Sequence, residues 1–153
     1  MLNAYTQDLK LTTTQAAVIT TGSLTQTTLD ASSIGDVTFT ISLVHDVPAN
    51  GMIVIVYPSE VGISSSTITA ELVSPSAISP LSLSLVSSQR RIQITDMFPS
   101  GATAGTSYQF ILKNVQNSNQ AASTGSFEIT TFVSSTGDYR IDAVKTGLAL
   151  TAN

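Results

Sequence analysis

The 153 residues contain no cysteine and no tryptophan, a single histidine and only six lysines and arginines. Without cysteine there is no disulfide framework, although secreted β modules often do without one. A chain of this length needs no such staple, because a domain near this size buries roughly 68–70% of the surface its unfolded chain exposes. One histidine and no cysteine cannot supply the usual ligand sets of zinc or redox metals. The missing tryptophan removes the side chain best suited to stacking on a sugar face. Ten acidic residues against six basic ones give a net charge of -4 and a pI near 4.6, which argues against nucleic acid as a partner. The only basic cluster, Arg90-Arg91, reads as a solvated strand edge. No apolar run approaches the 18 or more residues of a membrane span, so no membrane insertion is expected. The opening Met1-Leu2-Asn3-Ala4-Tyr5 lacks the charged and apolar regions of a signal peptide. If the domain is extracellular, Met1 is then the start of an excised piece.

What is present is hydroxyl. Serine and threonine supply 44 residues while charged residues make up 10%, against about 25% in ordinary soluble domains. The surface is therefore polar without being ionic. Threonine and serine on the solvent faces of strands account for this, and so does an extracellular setting with O-linked sugar; the two are compatible. No Asn-x-Ser/Thr acceptor for N-linked sugar occurs.

Alternation with period two recurs along the chain. Val37, Phe39, Ile41 and Leu43 share one face, with Asp36, Thr38, Thr40 and Ser42 on the other. Val47-Pro48-Ala49-Asn50-Gly51 then reads as a turn into Met52–Tyr57, an unbroken apolar run expected to form a central strand covered on both faces. Thr67 to Val73 reads as an edge strand before Ser74-Pro75 and Ser79-Pro80. Further alternation marks Leu81–Leu85, Ile92–Ile94, Tyr108–Leu112 and Phe127–Thr131, and a last strand runs from Tyr139 to Leu150. The best candidate for a short helix is Asn119 to Ala122. Strands spaced by about 8–12 residues with turn clusters between them predict an all-β, immunoglobulin-like antiparallel sandwich of about 7–10 strands. The whole chain, 1–153, reads as one domain, with residues 1–34 as N-terminal strands and a loop. The expected core centres on Phe39, Ile41, Val54, Val56, Phe110 and Phe127.

Few residues offer chemistry. His45 lies beside Asp46 before Pro48, there is no Gly-x-Ser-x-Gly elbow, and the histidine reads as a solvated turn residue. No catalytic or cofactor-binding residue is therefore assigned. Calcium is the one metal left open, since carboxylates at strand ends suit it; Asp36, Asp46, Asp96, Asp138 and Asp142 are the weak candidates, and turn-forming aspartate is the plainer account of all five. Phe39, Tyr57, Tyr108, Phe110, Phe127 and Tyr139 fall on positions that read as core, leaving Phe98 and Tyr5 in loop-like context, which disfavours a glycan platform. Glu60, Glu71 and Glu128 lie in no hydrolase motif. A Lys-to-Asn crosslink would draw on Lys10, Lys113 or Lys145.

The stretch Val47–Pro58 resembles an "I-P-A-N-G-x-I-x-I-x-F-P" pattern, and Ala104–Val115 with Thr124–Thr131 resembles two later stretches of it. These patterns occur in immunoglobulin-like repeats of very large surface or secreted proteins of ciliates and related microbial eukaryotes. The resemblance spans roughly residues 35–150 and implies an extracellular or cell-surface tandem module without catalytic residues. The expected function is thus a non-catalytic structural module or filament unit whose partners are other copies or neighbouring domains. An adhesive domain binding a glycan or other ligand through the loops Thr25–Ser33, Gly62–Ser66 and Asn114–Gly125 is the alternative, and a viral capsid or decoration protein a further one.

Overall fold

The computed structural model describes residues 16–19, 22–137 and 139–153. Its strands are β1 (Ala17–Val18), β2 (Gly22–Gln26), β3 (Ile34–Ser42), β4 (Gly51–Val56), β5 (Gly62–Ile63), β6 (Thr69–Ser74) and β7 (Leu83–Val86). There follow β8 (Arg91–Phe98), β9 (Ser107–Gln116), β10 (Ser123–Ser126), β11 (Glu128–Phe132), β12 (Arg140–Val144) and β13 (Ala149–Thr151). One sheet has the order β1-β12-β11-β4-β8-β7; the other runs β2-β3-β9, with β5 and β6 both on the far side of β9. A β10-β13 pair forms a small third sheet. The chain is an all-β sandwich. Asn119–Ala122 is not helical, and the one helical turn among the described residues is a 3-10 turn at Ser87–Gln89, in the β7–β8 hairpin.

The two large sheets share one core. β3 buries Val37, Phe39 and Ile41 and β9 buries Tyr108, Phe110 and Leu112, as their alternation demands. Phe39 stacks on Phe110 across the β3–β9 pair with ring centroids 5.1 Å apart, and meets Phe127 edge-on at 5.3 Å. Each such pair adds about 0.5–1.5 kcal/mol beyond area burial. Phe98 ends β8 buried, edge-on to Tyr108 at 5.2 Å, so it is core despite its loop-like sequence context. Tyr139, expected in the core, is 71% exposed.

β4 is central and buried on both faces as expected, but its inward residues are Ile53 and Ile55. Val54 belongs to a separate cluster with Met52 and Phe132 on the outer face, and Val56 is only half-buried beside it. At β4 the core therefore centres on Ile53 and Ile55, and not on Val54 and Val56. An unbroken apolar run carries no polar residue to mark its outer face, so period two leaves its phase undefined.

Three local devices place the remaining segments. Asn50 takes φ +62° in the turn before β4, and a Cβ on the following Gly51 would collide with the Val47 side chain. In β9 an extra residue opposes β3 between the Gly35/Val115 and Val37/Leu112 pairs. Asn114, at φ +62°, absorbs this bulge, so the strand continues to Gln116 beyond the expected loop start. The final region, read as one strand, is two: β12 pairs with β11 in the first sheet, while β13 crosses to pair with β10. Gly147, at φ +88°, lies in the turn between them.

Candidate functional site

Asp142 and His45 lie 97 positions apart and meet. β12 carries Asp142 into the interior, where it is fully buried, and its Oδ1 lies 2.9 Å from His45 Nδ1. Oδ2 accepts the backbone N–H groups of Val44 at 2.8 Å and His45 at 3.0 Å. On the backbone side, the Asp142 N–H donates to Thr131 Oγ1 at 3.0 Å, within the irregular stretch of the β11–β12 ladder. A buried carboxylate is tolerable only with such partners. The imidazole side chain is 54% exposed, and no hydroxyl is bonded to its ring among the described residues. His45 is a solvated turn residue as expected, and its bond to Asp142, which the sequence does not show, ties the turn after β3 to the opposite sheet.

Three other aspartates do similar work. Asp46 Oδ1 accepts the Ala104 N–H at 2.7 Å, and both oxygens of Asp96 accept the Ser82 N–H at 2.8 and 2.9 Å. Asp36 reaches the N–H of the bulged Asn114 at 3.4 Å. Each of these carboxylates closes a backbone donor on another segment. No three acidic or histidine side chains converge on a metal position among the described residues. Asp138, Lys10 and Tyr5 lie outside the described residues. Glu60 holds the Gly125 N–H at 3.1 Å. Its carboxyl lies below the usual range, chiefly through its own backbone N–H, then through those of Gly125 and the Ser59 hydroxyl.

A depression of ≈450 Å³ opens on the outer face of the first sheet. Arg91, Arg140 and Lys145 line it together with Glu128, Thr130 and Phe132, over a floor of Val54 and Val56. Three of the chain's six cations therefore gather here. None of the three enters an ion pair among the described residues, and Arg91 Nε is buried without a hydrogen-bond partner. Arg91 is thus no solvated edge residue: Arg90 is exposed at φ +50° in the hairpin turn, and the next residue turns onto the sheet face.

Sheet edges are where sandwiches meet other chains. β6 is an edge strand, as the sequence suggests, but its outer side is occupied. Leu72 exchanges two backbone bonds with Ile78, each 2.9 Å, and the Leu81 N–H donates to the Ala70 carbonyl at 2.8 Å. Beside β2, the Gln26 amide donates to the Thr151 carbonyl at 2.8 Å and accepts the Thr151 N–H at 3.2 Å, so β13 lies along it through a side chain. Among the described residues β7 has no such cover. Of the described strands it pairs with β8 alone, and the Thr95 N–H bonded to the Ser82 carbonyl sets the alternation. Leu83 and Leu85 consequently turn their N–H and C=O groups to the free side. No hydrogen bond among the described residues reaches them. The strand, Leu-Ser-Leu-Val, has no charge and no proline to blunt it.

No protein-family model matches the chain, and no curated protein matches it. Among solved structures it is similar to that of BslA, described as a bacterial hydrophobin, with 13% identity, a TM-score of 0.48, and coverage of 87% of this chain and 100% of that one.

Proposed function

We propose that the chain is a non-catalytic structural module of an extracellular or surface protein, acting through contacts with other copies or neighbouring domains. The observation that carries this reading is the contrast between the open β7 edge and the covered outer sides of β6 and β2. The low charge and abundant hydroxyls support a surface setting, and the resemblance to tandem surface repeats points the same way. The strand orders β2-β3-β9-β6 and β12-β11-β4 follow the A-B-E-D and G-F-C orders of an immunoglobulin-like sandwich. β7 and β8 depart from it, extending the second of these sheets beyond β4 although they follow β6 in the chain. No cofactor and no catalytic step belong to this reading.

The strength of the contact follows from its size. Leu83 and Leu85 offer four backbone groups, each worth about 0.5–1.5 kcal/mol net once bonded. Association costs about 4 kcal/mol or more in lost freedom. Isolated copies therefore stay monomeric when dilute, and tethered copies pair because a short linker supplies an effective concentration on the order of millimolar. Hydrogen exchange tests this. The Leu83 and Leu85 amides should exchange rapidly in the isolated domain and become protected in a two-domain tandem protein; equal exchange in both would remove the edge contact from the reading.

A further inference from the structure

Beyond the edge contact, and independent of it, we propose that the depression on the outer face of the first sheet binds an acidic sugar, a uronate at the end of a short saccharide. Its volume of ≈450 Å³ falls within the range of small-ligand sites. The lining divides into three chemistries that one uronate unit uses together. Arg91, Arg140 and Lys145 line the depression, none of them in an ion pair among the described residues, and guanidinium groups match a planar carboxylate in charge and shape. Glu128 and Thr130 stand on the same wall and offer acceptors for sugar hydroxyls. Phe132, Val54 and Val56 present apolar surface to the C–H face of a ring.

Charge and shape disfavour other anions. A nucleic-acid backbone brings many phosphates towards a chain whose net charge is -4. An acidic peptide supplies carboxylates but no ring of hydroxyls for Glu128 and Thr130. Glu128 is the one carboxylate among the lining residues against three cations, so the depression keeps a net positive charge.

Amide chemical shifts followed by nuclear magnetic resonance would test the site with methyl glucuronide, methyl glucoside and an acetylated glutamate amide as probes. The glucuronide should move the amides of Thr130, Phe132 and Gly137, with the glucoside about tenfold weaker or more. Arg140 and Lys145 are exposed, so Arg140→Gln with Lys145→Gln should keep the folded spectrum while weakening glucuronide by a similar factor. Three results would each overturn the proposal: no shift with glucuronide in the millimolar range, equal shifts from the glucoside, or tighter binding of the glutamate amide at the same amides.

Discussion

His45 and Asp142 join the two sheets: a half-exposed imidazole and a fully buried carboxylate stand 2.9 Å apart, and the same carboxylate closes two backbone donors. Deleting the carboxylate leaves those donors and the imidazole without their acceptor. Asp142→Ala should therefore cost about 2–4 kcal/mol in urea unfolding, whereas Asp142→Asn, which keeps an acceptor and the volume, should cost less. His45→Ala removes one bond of three and should cost about 0.5–1.5 kcal/mol. Equal losses for Asp142→Ala and His45→Ala would show that the backbone bonds carry nothing.

The two faces of β4 should respond unequally to truncation. Ile55 is fully buried between the sheets, so Ile55→Ala should cost about 2–5 kcal/mol. Val56→Ala, on the half-buried outer face, should cost less than about 1.5 kcal/mol. Phe110→Ala and Phe127→Ala, both at the stacked centre, should each cost about 3–5 kcal/mol. Urea midpoints at constant slope would check this ranking.

A charge on β7 should act on association and leave folding alone. Ser84 is exposed between two inward leucines, and lysine is a natural guard of sheet edges. Ser84→Lys should leave the unfolding midpoint within about 0.5 kcal/mol of the parent and abolish amide protection in the tandem protein. Protection that survives the substitution would place the contact elsewhere.

The Glu60 carboxyl gives a pH dependence of definite sign. Its folded value is lowered by the backbone N–H groups it accepts. Its contribution is present above the unfolded pKa and lost as pH falls through the folded one. Glu60→Gln should flatten the acid side of a plot of melting temperature against pH, and an unchanged acid limb would count against the lowered value.

Strand alternation was legible where each strand had one polar face. Val37-Thr38-Phe39-Thr40-Ile41 announces its inner side, and the structure places it accordingly. Met52–Val56 announces none, so only pairing with β8 and β11 selects Ile53 and Ile55 for the core. The Asn114 bulge shifts the phase of β9, and a strict period-two reading ends there. For the pair of His45 and Asp142 the only signal was a lone aspartate within the otherwise apolar Ile141–Val144; its partner lies far along the chain, and local spacing says nothing about such distances. Arg91 offered even less, since consecutive arginines look alike until the hairpin points one outward and the next across the sheet.

The gathering of half the lysines and arginines in one depression separates the two surfaces by their response to dissolved salt. A contact between exposed charges is screened over about 8–10 Å at ordinary ionic strength, whereas backbone pairing along an uncharged strand carries no net charge to screen. On the two proposals together, brine would empty the depression and leave neighbouring modules joined.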